Sequence, residues 1–202
     1  MKSLHFAIFI LAMFIAGCKS GKKQSTVEVI EAPATIDIVN FNADSAYKYV
    51  KTQVDFGPRV PGSTGHAACA DYLINSLSRY GADTVIVQRA ALKNYLDGDM
   101  PIINIMGRYG VDKPERVLLV AHWDTRPWAD SDPNIENRAR AVPGANDGAS
   151  GVGVLLELAR QMSAKRPDVG VDILFVDGED SGRSDGWGAS EETWCIGTQY
   201  WI

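Results

Sequence analysis

Residues 117–121, Val117-Leu118-Leu119-Val120-Ala121, form one continuous apolar run, and Val171 to Val176 forms a second that is interrupted only at Asp172. Between them, Ser150 to Met162 carries apolar residues at helical spacing. Short apolar runs rich in Val and Leu read as strands, and the intervening periodicity reads as a helix. Strand, helix, strand is a βαβ unit, whose crossover brings two parallel strands into one sheet. Strands apolar along their length are expected to be buried on both faces. The expected fold is therefore α/β, a three-layer sandwich with a mainly parallel, mixed central sheet.

Working outward, Asp44 to Val54 has helical spacing of Tyr47, Val50 and Val54 until Phe56-Gly57-Pro58-Arg59-Val60-Pro61-Gly62 breaks it into a loop. Ser63 or Thr64 can cap a second helix running to Tyr80, with Ala70, Leu73, Ile74 and Leu77 along one side. Val85 to Arg89 and Ile102 to Arg108 read as strands around an Asp97-Gly98 turn. No repeat divides the chain, so one domain over residues 41–202 is expected.

The 202 residues are 46% hydrophobic and 22% charged, with 19 Gly and 9 Pro, which excludes disordered, collagenous and coiled-coil classes. The formal net charge of −5 and the lack of a basic, aromatic-rich stretch argue against a nucleic-acid partner. The 3 cysteines have no C-x-x-C spacing, so neither a thiolate zinc site nor a redox dithiol is expected.

The first segment is an address label. Lys2 precedes an apolar stretch from Leu4 to Ile15, too short for the ~20 apolar residues of a membrane-spanning helix. Ile15-Ala16-Gly17-Cys18 is similar to a bacterial lipobox, which implies cleavage of a signal peptide (residues 1–17) and lipidation of Cys18. Residues 18–40 then read as a lipidated tether. The expected location is exported and lipid-anchored, on the periplasmic or cell-surface side of a bacterial membrane. In such a compartment Cys69 and Cys195 can pair or remain as buried free thiols.

In a parallel sheet the ligand site lies beyond the carboxyl ends of the strands. His122-Trp123-Asp124 follows the first apolar strand and Asp177-Gly178-Glu179-Asp180 the second. Asp147 stands between them at the start of the crossover helix. Singly, each has a structural explanation, since Asp at a helix start caps it and an acidic loop is usually solvated. Jointly, they gather an imidazole and several carboxylates at one sheet edge. Like charges that close repel unless protonated or neutralised, and the donor set suits zinc.

These residues resemble the zinc exopeptidase family, which includes di-zinc aminopeptidases and glutaminyl-peptide cyclotransferases. Ala121-His122-Trp123-Asp124, Pro143 to Gly151 and Phe175 to Asp180 are similar to its three metal-site motifs, in order. Asp55 to Arg59 with Pro61-Gly62-Ser63 resembles a substrate-side motif of the same family. Trp123 to Asp130 and Trp194 to Trp201 resemble its bacterial lipoprotein cyclotransferase branch. The resemblance implies a phosphorylase/hydrolase-like fold, zinc ligation by Asp147 and Asp180, and an acid/base role for Glu179. It implies a supporting or second-metal role for His122 and Asp124, and an apolar substrate wall of Trp194 and Trp201. The family usually has Glu where this chain has Asp180, which shortens that ligand arm. A further histidine ligand is implied downstream, so a chain ending at Ile202 is expected to lack the last part of the domain.

The implied activity is conversion of N-terminal glutamine of peptides to pyroglutamate with release of ammonia, using one zinc and peptide or protein substrates with a free N-terminus. Two alternatives stand beside it. One is a di-zinc aminopeptidase, the other a non-catalytic surface lipoprotein that keeps the fold.

Overall fold

A computed structural model describes residues 40–184 and 191–201. The expected signal peptide, Cys18 and the tether as far as residue 39 lie outside the described residues. In chain order the elements are α1 (Ala43–Asp55), α2 (Thr64–Arg79), β1 (Thr84–Lys93), β2 (Asp99–Tyr109), β3 (Arg116–His122), α3 (Ala149–Ala164), β4 (Gly170–Val176) and α4 (Ile196–Trp201).

The βαβ unit is β3-α3-β4, with β3 and β4 parallel and in register from Arg116↔Gly170 to His122↔Val176. The sheet order is β1-β2-β4-β3, and β2 pairs antiparallel with both β1 and β4. The sheet is therefore mixed, with β3–β4 as the parallel pairing among the described strands. β1 and β2 are joined by a tight connection that Asn94 builds, its Oδ1 accepting from the amides of Leu96 (2.9 Å) and Gly98 (3.0 Å). Asp97 adopts positive φ there, as such a turn requires.

One face of the sheet carries Ile103, Ile105 and Tyr109 of β2 with Val171, Ile173 and Phe175 of β4, and α1, α2 and α3 close over it. Leu73 and Leu77 of α2 and Val152 and Leu156 of α3 are fully buried in this core. Both helices present these residues at four-residue spacing, one turn apart on the same face. The N-cap of α2 is Ser63, which accepts from the His66 amide at 3.1 Å.

The expectation that both strands of the unit are buried on both faces holds for β4 and fails for β3. Leu118 is 55% and Val120 49% exposed: β3 is the edge strand of the described sheet and is only partly covered. An apolar sequence reports what a strand can bury, and the covering layer has to be supplied by other chain.

Glu157 locks α1 onto α3. Its buried carboxylate accepts from the Asn42 amide (3.0 Å), from Arg160 Nε and Nη2 (both 2.7 Å) and from Gln161 Nε2 (2.9 Å). Arg160 above all holds its pKa down, to about 2. A folded-state pKa below the unfolded value gives stability that is complete above the unfolded pKa, near 4.5, and is lost as pH falls toward 2. Glu157→Gln is expected to cost about 1–3 kcal/mol at pH 7 and to flatten the acid limb of stability over that window. Urea unfolding of both forms at pH 7 and pH 3 measures this.

Candidate metal centre and acid loop

The three acidic segments do converge. β3 ends at His122 and β4 at Val176, side by side in the parallel register, so the segments leaving them start at neighbouring points. Asp147 enters from the turn before α3. Gly148 makes that turn possible at φ 87°, and a Cβ there would lie 2.8 Å from the Asp124 carbonyl oxygen and 3.3 Å from His122 Cε1. The helix starts without a side-chain cap, so Asp147 is not the capping residue its position suggests. Its carboxylate faces His122 instead, with Oδ1 2.9 Å from Nε2.

His122, Asp147 and Asp180 each offer a ligand atom, and these atoms lie within 4.8 Å of one another. Glu179 Oε2 lies 3.3 Å and Asp124 Oδ1 3.5 Å from His122 Nδ1, which is buried and makes no hydrogen bond. An imidazole and two carboxylates with an orphaned ring nitrogen beside them are a donor set that fits zinc. Burial alone would lower the His122 pKa. Asp124, Glu179 and Asp180 outweigh it and push it up to about 9. A divalent ion ligated by His122 must therefore displace a proton.

Asp124 has a different task. It is fully buried, and its two carboxylate oxygens accept from the backbone amides of Glu179 and Asp180, each at 3.1 Å. With both oxygens committed to amides, Asp124 is built to support the loop carrying the other two acids. Burial, with Asp124 and Asp147 nearby, raises the Glu179 carboxyl above its ordinary value against the pull of His122. Burial and the Asp147 and Asp124 charges push Asp180 up to about 6.

Asp177 does not join the cluster. Its carboxylate accepts from His66 Nε2 (2.8 Å), the Ile103 amide (2.7 Å) and the Gly178 amide (2.8 Å). His66 stacks on Trp123 with ring centroids 4.4 Å apart, so it is a core histidine. Cys69 is buried and Cys195 half-buried, both as free thiols.

The expected aromatic wall divides. Trp194 lines a cavity of about 400 Å³ with Arg126, Trp128, Ala129, Asp130 and Val142, beside the Asp180 loop. Trp201 is half-buried at the end of α4 and outside that lining.

Two arginines hold the loops that carry the cluster, and sequence reasoning gave neither a role at the centre. Arg59, read as part of a substrate-side motif, is fully buried and donates from Nη2 to the Gly144 carbonyl (2.6 Å), from Nη1 to that of Pro143 and from Nε to that of Trp123 (3.4 Å). Arg126 bonds the carbonyls of Asp180 (2.9 Å) and Gly182 (3.2 Å). Arg126 pairs with Asp130 outside any helix, so four-residue spacing gave no signal for it.

The profile of Peptidase family M28 matches residues 104–202. A glutaminyl cyclase of Bacteroides thetaiotaomicron, solved bound to N-acetylhistamine, is 49% identical with a TM-score of 0.78 over 82% of this chain and 57% of that one. A leucine aminopeptidase precursor from the same organism is 48% identical, TM-score 0.79, over 83% and 58%. The bovine glutaminyl-peptide cyclotransferase is 25% identical over 89% of this chain and 53% of its own length. The chain thus spans little more than half of these relatives, and about a third of a probable zinc metalloprotease from Pyrenophora tritici-repentis.

In fold, in the order of its motifs and in these likenesses the chain is similar to the zinc exopeptidases. The solved structures it is similar to include bacterial glutaminyl cyclases and a zinc-dependent exopeptidase.

Proposed function

We propose that the chain serves a zinc-dependent glutaminyl-peptide cyclotransferase, converting N-terminal glutamine of peptides to pyroglutamate with release of ammonia. The observation that supports it most is the placement of Glu179: half-buried, raised in pKa, and adjacent to the His122, Asp147 and Asp180 cluster without belonging to it. Asp147 and Asp180 would hold one zinc, which when bound supplies Lewis acidity at the side-chain amide oxygen. The substrate brings its own nucleophile. Its α-amine attacks the side-chain carbonyl carbon, a C–N bond closes the five-membered ring, and the amide nitrogen leaves. Glu179 accepts the proton the amine loses and returns it to the departing ammonia, so no net proton is consumed on the carboxyl. Trp194 supplies an apolar wall beside the loop, which disfavours competing water. The leader and Cys18 support export and a lipid anchor for this activity.

One observation favours a second reading. His122 lies 2.9 Å from Asp147, so His122 would be available to hold a second metal beside the first, the count a di-zinc aminopeptidase uses. Metal count and product separate the two. Cyclisation predicts one zinc per chain and ammonia from glutamine-initiated peptides, abolished by chelation and restored by zinc. Two metals with release of a free amino acid would replace it by the aminopeptidase.

A further inference from the structure

We propose that Arg126 is the positioning residue of the acid loop, fixing the backbone from which Asp180 projects; the inference rests on reading Asp180 as a metal ligand. Four of the five guanidinium donors are engaged. Nε and Nη2 form a two-pronged pair with Asp130, at 2.7 Å to Oδ1 and 2.5 Å to Oδ2, while Nη1 donates to the carbonyls of Asp180 and Gly182. Trp194 stacks on it at 4.9 Å and Trp128 at 5.3 Å from the ring centroids, two cation–π contacts on one cation. Asp130 is steadied in turn by the Ser184 hydroxyl, which donates to its Oδ2. Four of its five N–H donors are thus spent on Asp130 and the loop carbonyls, which makes holding the loop the main task of Arg126.

The grip on Asp180 is two-sided. Its amide donates to Asp124 at 3.1 Å and its carbonyl accepts from Arg126 at 2.9 Å, so the backbone is tied immediately before and after the Cα. What remains free is the side chain alone. Asp is one methylene shorter than Glu and has less reach with which to absorb a backbone shift, so its carboxylate stays with His122 and Asp147 only while the loop is held. The fork geometry demands arginine. Lysine keeps the charge but cannot serve a carboxylate and two carbonyls from one rigid plane.

The test uses Arg126→Lys and, as a milder cut in the same clamp, Asp130→Asn, in the full chain. Three quantities are read: zinc affinity by chelator competition, amide exchange at Glu179 and Asp180, and the unfolding midpoint of the metal-free protein. The expected result is zinc affinity lowered about tenfold or more in Arg126→Lys and less in Asp130→Asn. Exchange should quicken at those two amides, with the metal-free midpoint moved by only a few degrees. Unchanged affinity and exchange in both variants overturn the proposal, as does a large fall in midpoint with faster exchange throughout the molecule. A parent chain that binds no zinc would remove the metal reading while leaving the clamp to be judged on exchange alone.

Discussion

Replacing Glu179 by Gln is expected to lower the rate of pyroglutamate formation by about 10²–10⁴-fold with zinc still bound, the range a positioned general acid/base contributes. Gln has the same shape and keeps a carbonyl oxygen near His122, but it cannot take the proton from the α-amine or deliver one to ammonia. The amide of residue 179 still donates to Asp124, so the loop is retained. The pH profile gives a sharper signature. On the proposed mechanism, ring closure needs Glu179 ionised at the outset. The rate in the parent should therefore fall as pH drops through the Glu179 pKa, and the residual rate of Glu179→Gln should lack that limb. Steady-state ammonia release across pH, with zinc content measured on the same samples, decides this. Undiminished turnover would strip Glu179 of the role and leave the cluster without a proton carrier.

Why was the cluster legible before its geometry was known, when its supports were not? Strand ends and helix starts are set by periodicity, and periodicity is local. Once β3, α3 and β4 are read from Val117, Ser150 and Val171 onward, the parallel connection alone carries His122, Asp147 and Asp180 to one edge. The role of each acid depends on where its lone pairs go, and spacing carries no record of that. Asp124 and Asp177 look equivalent in sequence, each just beyond an apolar strand. The first holds two amides of the acid loop, and the second faces inward onto His66. Arg59 was hidden for a related reason. A charged residue in a Gly-Pro loop reads as exposed, yet three carbonyls left by surrounding turns make its burial tolerable. The exposure of Leu118 and Val120 was missed because an edge position is a property of the whole sheet order, not of the strand.

The same distinction makes Asp124→Asn informative, because the change removes charge and one acceptor while keeping shape. The aspartate meets two N–H donors, those of Glu179 and Asp180, with two oxygens. Asparagine offers one oxygen and one NH₂ group, so whichever way the amide turns, one loop amide confronts a donor. Leaving that buried group unpaired costs about 1–3 kcal/mol, which should appear as a lower unfolding midpoint in the metal-free chain. If zinc is held by residues of the loop, its affinity should fall about 10–100-fold, the usual consequence of cutting the support beneath a ligand. Had Asp124 been a ligand itself, its loss should instead remove one ion from the measured stoichiometry. Reduced affinity at unchanged metal count therefore supports the loop-holding role, and a lost equivalent of metal at unchanged stability would return Asp124 to the metal. The electrostatics move in a definite direction as well. Asp124 helps to raise both Glu179 and His122, so its neutralisation lowers both pKa values. The acid limb of turnover should shift to lower pH, and zinc should compete with a more weakly held proton on His122. The change at His122 acts in favour of binding, so the affinity loss must come from the freed backbone together with the loss of a negative charge beside the ion.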